Sequence, residues 1–273
     1  MPAVCTKNEI SFTIPDFDPA QTFECGQAFR FSCTDGVWSG IVGSRLLRLK
    51  KDGDTVTFFD TTQQEFDTYW RRYLDLDTDY GAICRVLSAD DTLRRACRYG
   101  SGIRILRQEP FETLITFILS QNNNIVRIKG LVQRLCEQFG EPLGDGFAFP
   151  TVQRLASVSP EDLAPVRAGF RAKYICDAAR KVADGTVDLD AVATLPYPEA
   201  RAELMRINGV GPKVADCTLL FGFHRIEAFP ADVWIKRAMQ HLYPNGLPEY
   251  VLPHAGIAQQ YLFYYVHEGN GLQ

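Results

Sequence analysis

Leu204-Met205-Arg206-Ile207-Asn208-Gly209-Val210-Gly211-Pro212-Lys213-Val214-Ala215 holds the end of one helix, a tight turn and the start of another. The first helix closes at Ile207, the turn follows, and Pro212 opens the second helix at the position proline favours. The two glycines permit positive φ and let another molecule approach the backbone closely. Amides exposed in such a turn, beside a helix N-terminus, form a seat for phosphate. G-x-G by itself also fits an ordinary helix–turn–helix link. With Leu204, Ile207 and Ala215 flanking it at hairpin spacing, the stretch reads as a helix-hairpin-helix. That motif binds DNA without regard to sequence, and it puts Gly209, Val210 and Gly211 against the DNA backbone.

Lys213 falls in the first turn of the second helix. A free lysine is protonated at neutral pH and a poor nucleophile. The positive end of a helix and partial burial both disfavour the ammonium, which makes attack by the amine feasible. Alone, such a lysine reads as a phosphate contact. Nineteen residues on, Pro230-Ala231-Asp232-Val233 places Asp232 at the start of the next helix, where it reads first as an N-cap. Paired with Lys213, it is also a carboxylate able to move protons and steady positive charge on an opening sugar.

Outward from these motifs, the 273 residues are 46% hydrophobic, enough for a substantial core. No apolar run reaches bilayer length, so no membrane is expected. The N-terminus lacks the order of a signal peptide. Eight cysteines are scattered singly, which argues against a zinc site, an iron–sulfur cluster or a disulfide framework; no metal and no cofactor is expected. A reducing compartment follows: the cytoplasm and nucleoid of a prokaryote, or a eukaryotic nucleus. Net charge is −4, but residues 52–91 carry ten acids against three arginines, and 92–134 carry eight basic residues against Glu109 and Glu112. A basic stripe of that kind binds phosphates even on an acidic protein, although it also fits a solvated helix face.

The predicted fold class is α+β. Short strands at 29–31, 37–42, 46–49 and 55–59 are separated by turn signals at Asp35-Gly36, Gly43-Ser44 and Asp52-Gly53, an antiparallel meander. Helices are predicted around 63–74 and 80–98. From Pro110 the pattern is helical almost throughout: 111–120, 125–139 ending at Gly140, 171–183, 198–207, 212–222, 232–242 and 254–267. The expected division is a β-rich N-terminal domain, 1–98, and a helical domain, 99–273.

The hairpin, the lysine and the downstream Pro-x-Asp together resemble the helix-hairpin-helix–GPD superfamily of DNA glycosylases. Within it the chain resembles the 8-oxoguanine DNA glycosylases, through Gly26-Gln27-Ala28-Phe29-Arg30, Ser120-Gln121-Asn122-Asn123-Asn124-Ile125-Val126-Arg127, Gly169-Phe170-Arg171-Ala172-Lys173-Tyr174 and Ala255-Gly256-Ile257-Ala258-Gln259. The resemblance implies a sheet domain related to half of the TATA-binding protein, followed by two all-helical subdomains. It implies a bifunctional glycosylase/AP lyase that removes 8-oxoguanine, preferentially opposite cytosine, from duplex DNA; the default expectation is a monomer.

By the same resemblance, Lys213 is the Schiff-base nucleophile and Asp232 the acid/base and charge stabiliser. Gly26 offers a carbonyl to N7–H, a donor that 8-oxoguanine has and guanine lacks. Gln259 takes the Watson–Crick edge of the flipped base, and Cys217 and Phe263 cover its faces. Asn122 fills the gap in the stack, Phe170 wedges beside it, and Arg127 and Arg171 hold the orphaned cytosine. The chain departs from the family at Phe170, where many relatives have tyrosine, and at Trp234, where eukaryotic relatives have histidine. Two other readings are a monofunctional alkyladenine glycosylase, which shares the fold without the lysine, and a non-catalytic helix-hairpin-helix module.

Overall fold

The computed structural model describes residues 8–267; the outermost residues of both expected domains, Cys5 among them, lie outside that range. Five antiparallel strands, β1 (Glu9–Thr13), β2 (Phe31–Thr34), β3 (Val37–Val42), β4 (Arg45–Asp52) and β5 (Thr55–Phe59), form a sheet in the order β1-β5-β4-β3-β2. Helix α1 (Pro19–Glu24) lies between β1 and β2. The β2–β3 turn is made by Asp35 and Gly36, both at positive φ, as a tight hairpin requires. Alternation along the strands puts Trp38, Leu47, Leu49, Val56 and Phe58 on one face. That face is closed by a helical stretch, α2 (Gln63–Glu65), a π turn (Phe66–Trp70) and α3 (Arg71–Tyr73).

The remaining helices share a second core. They are α4 (Tyr80–Leu87), α5 (Asp91–Tyr99), α6 (Pro110–Ser120), α7 (Ile125–Phe139), α8 (Val152–Ala156), α9 (Ala172–Ala183), α10 (Leu189–Thr194), α11 (Tyr197–Leu204), α12 (Pro212–Gly222), α13 (Val233–Leu242) and α14 (Ala255–His267). A two-stranded hairpin, β6 (Pro142–Leu143) and β7 (Gly146–Phe147), follows α7. One group of helices packs around α14, which lies against α5 and α13. The other packs around α6, which lies against α7, α9 and α12. The chain leaves the first group after α5, builds the second, and returns to the first with α13.

Two predicted elements are corrected and one strand is added. Only Phe31 of the strand expected at 29–31 belongs to β2, because Phe29 turns the other way and meets Phe117 edge-on in the helical core. The helix expected over 80–98 is two, since Asp90 accepts the amide of Leu93 and starts a new one. Strand β1 was not expected; its inward residues, Ile10 and Phe12, are only half-buried at the sheet edge.

Sheet and helices are joined by buried polar groups. Gln27 donates to the carbonyl of Arg104 and accepts the amide of Leu106, at 2.8 and 2.9 Å. Asp75 is bound by Arg107 at 2.8 Å, by the Tyr80 hydroxyl at 2.9 Å and by His224 at 3.4 Å. Burial opposes the charge on Asp75, but His224 and Arg107 outweigh it and hold its carboxyl well below the usual carboxylate range. This arrangement also corrects the basic stripe expected over 92–134. Arg104 is buried, Arg107 serves Asp75, Arg94 pairs with Asp91, and Arg134 donates to the carbonyl of Val166.

Candidate active site

The hairpin rests on α9. Asp177 accepts both the backbone and the side-chain amide of Asn208, at 2.7 and 3.0 Å, and Lys181 donates to the carbonyl of Arg206 at 2.7 Å. Gly209 has φ +81°, and a Cβ there would run into the ring of Tyr174. Helix α11 is locked to α12 through buried Asp216, which accepts from the Tyr197 hydroxyl at 2.8 Å and from a terminal nitrogen of Arg201 at 3.2 Å. Burial raises the Asp216 pKa despite those two partners.

Pro212 starts α12, and Lys213 follows it, half-buried against the end of α6. Its Nζ lies 3.4 Å from Ser120 Oγ and 4.9 Å from the centre of the Phe117 ring. The sequence placed only influences hostile to the ammonium around this lysine; the structure adds two attractive ones, an oxygen acceptor and an aromatic face. Cys217 lies one turn further along α12 and is buried. Burial pushes its thiol up to about 11, Lys213 opposes that, and Asp216 and Asp232 add to it. Both Lys213 and Asp232 thus act electrostatically on the same buried thiol. Asp232 caps α13, accepting the Ile235 amide at 2.8 Å.

Gly26 and helix α14 build the neighbouring wall. Gln260 donates to the carbonyl of Cys25 at 2.6 Å, fixing α14 against the Gly26 segment. Gly26 has φ +82°, and a Cβ there would sit 3.4 Å from Phe263. Gln259 is 4% exposed, and among the described residues its amide oxygen has no partner. A buried amide oxygen left open is costly unless a ligand supplies the donor. Phe263 stacks on His267, which meets Trp234 edge-on at 5.7 Å. His267 thus places an imidazole between Phe263 and Trp234, a placement that histidine spacing in the sequence did not reveal.

The opposite side of the site is the turn after α6. Asn122 is exposed with φ +51°; the capping role belongs to Asn124, which accepts the Arg127 amide at 2.9 Å. Gln121 connects this turn to both neighbours. Its side chain donates to the Gly209 carbonyl at 3.1 Å, and its own carbonyl accepts from Arg171 Nε at 2.8 Å and from a terminal guanidinium nitrogen. Arg171 is buried and lies over the ring of Phe170, which is half-exposed. Burial, and then the charge of Arg127, lower the Arg171 pKa. Neither Ser120 nor Gln121 was singled out from sequence, although both stand inside the motif that holds Asn122. Two clefts, of about 490 and 580 Å³, lie elsewhere, and none of the site residues lines them. Among the described residues no cluster of His, Cys, Asp or Glu is arranged to hold a metal, and no helix is long and apolar enough to cross a membrane.

A hairpin leading into a lysine, with a carboxylate helix cap beside it, is the arrangement of a helix-hairpin-helix DNA glycosylase. Residues 115–249 match the HhH-GPD superfamily of base excision DNA repair proteins, and residues 9–114 match the 8-oxoguanine DNA glycosylase N-terminal domain. The chain is 42% identical over 158 residues to the N-glycosylase/DNA lyase of Saccharomyces cerevisiae, a stretch covering 52% of this chain and 42% of that one. It is 32% identical over 264 residues to the N-glycosylase/DNA lyase OGG1 of Arabidopsis thaliana, covering 89% of this chain and 72% of that one. Its fold superposes with a TM-score of 0.87 and 38% identity on the 8-oxoguanine glycosylase/lyase of Clostridium acetobutylicum in complex with duplex DNA carrying cytosine opposite 8-oxoguanine, covering 93% of each chain. The chain belongs to the 8-oxoguanine DNA glycosylase family.

Proposed function

We propose that this protein excises 8-oxoguanine from duplex DNA, preferentially opposite cytosine, and then cuts the strand at the abasic sugar. The observation that carries the reading is Lys213 in the first turn of the helix after the hairpin, its Nζ 3.4 Å from Ser120 Oγ, with Asp232 capping the next helix. The damaged nucleotide leaves the stack, since its sugar and base edges are inaccessible inside the duplex. The Gly26 carbonyl accepts N7–H, and the buried Gln259 amide pairs with the Watson–Crick edge. Phe263 and Cys217 cover the two faces.

In its neutral form, the Lys213 amine attacks C1′. The glycosidic bond breaks, and its electron pair leaves with the base, which takes up a proton. The Asp232 carboxylate steadies the positive charge that builds on the sugar. Ring opening gives a Schiff base; loss of a C2′ proton then expels the 3′ phosphate by β-elimination. The Clostridium complex, with cytosine opposite the lesion, supports the same opposite base here.

Borohydride trapping tests the reading. Wild type becomes covalently joined to an 8-oxoguanine duplex, and Lys213→Gln binds the duplex without being joined or releasing base. Normal trapping by Lys213→Gln would overturn the assignment, and preferential release of alkylated adenine by wild type would overturn the substrate.

A further inference from the structure

Ser120 is the last residue of α6 and is 9% exposed. Its hydroxyl donates to the Phe117 carbonyl at 2.8 Å, so its one hydrogen is committed. What it can present to Lys213 Nζ, 3.4 Å away, is therefore a lone pair. Phe117, the floor under the same amine, is itself fixed, stacked on Phe221 and edge-on to Phe29. The C-terminal end of α6 adds the negative pole of a helix dipole.

We infer that Ser120 is a positioning residue that accepts one N–H from Lys213 Nζ and so orients the amine for attack, with Phe117 as the floor. The inference rests on Lys213 being the nucleophile. A neutral amine has two N–H bonds and one lone pair. Ser120, having no free hydrogen, engages an N–H and cannot tie up the lone pair that must reach C1′. A long side chain with four rotatable bonds needs several contacts to be fixed, and small misplacements of a reacting atom are costly in rate.

The experiment is single-turnover borohydride trapping on an 8-oxoguanine duplex. Beside it are measured the Kd for a duplex bearing a tetrahydrofuran abasic analogue and the melting temperature. Ser120→Ala and Ser120→Cys, the latter keeping volume but offering only a weak acceptor, should trap about tenfold more slowly with Kd and melting temperature unchanged. Ser120→Thr, which keeps the oxygen, should restore the rate. Wild-type trapping rates in both Ala and Cys variants, or a loss that merely follows weaker DNA binding, overturns the inference, as does failure of Ser120→Thr to restore it. Wild type and Lys213→Gln are the controls. If wild type is not trapped, the nucleophile reading fails; if it is trapped and Lys213→Gln is not, only the role of Ser120 is being decided.

Discussion

Arg171 gives Nε and a terminal nitrogen to the Gln121 carbonyl and another nitrogen to Ala168, whereas Arg127 stands exposed in the first turn of α7. The two arginines, equivalent in the sequence reading, therefore respond differently to truncation. Unpaired cytosine offers O2 and N3 as acceptors, while adenine presents a donor at N6. A charged hydrogen bond is worth about 1.5–3 kcal/mol. Arg127→Ala should narrow the cytosine-to-adenine ratio of single-turnover excision by about tenfold and leave the melting temperature unchanged. Arg171→Ala should narrow the ratio and also lower the melting temperature, because the turn carrying Asn122 loses its clamp. An unchanged ratio in both variants would leave discrimination to the shape of Asn122 and Phe170. The motif containing Asn122 and Arg127 was legible because its residue types and order are distinctive. The spent donors of Arg171 were not, since they depend on carbonyls 50 and three residues away.

At the scale of elements, the hairpin separates two glycines that the sequence treats alike. Gly209 is at φ +81° against Tyr174, whereas nothing lies within 4 Å of a Cβ built on Gly211. Gly209→Ala should cost about 1–3 kcal/mol of stability through strain and overlap, read as a lower urea midpoint. Gly211→Ala should leave that midpoint in place and weaken duplex binding, because its added methyl meets only an approaching backbone. Equal midpoints for the two variants would contradict the packing described. Helices were read best where caps and apolar spacing agree, as in α7 with Asn124 before it and Gly140 after it. The reading failed where a side chain chooses between two cores, as Phe29 does, and where an edge strand pairs across 46 residues, as Ser11 does with Thr57.

For the molecule as a whole, Asp75 is the polar knot between sheet and helices. Its depressed folded-state pKa contributes stability that is present above the ordinary carboxylate value, about 4, and is lost as the pH falls through the folded value. Asp75→Asn should lose about 1.5–3 kcal/mol at neutral pH, because Arg107 loses its carboxylate but stays partly open to water. In urea titrations the gap to wild type should close below about pH 4; a constant gap would place the loss in packing instead. Charge counts along the sequence could not foresee this, because a count does not tell which arginines turn inward. The hydrogen bond from Gln260 to Cys25 spans 235 residues, and it fixes the helix that carries Gln259 and Phe263. The wall between the Gly26 segment and α14 is therefore closed late in synthesis, once a loop of that length has been drawn shut. With elongation at roughly 5–20 residues per second, the 47 residues from Lys213 to Gln260 take about 2–9 seconds to add. Of the described helices, the last to leave the ribosome is therefore the one that completes the proposed site.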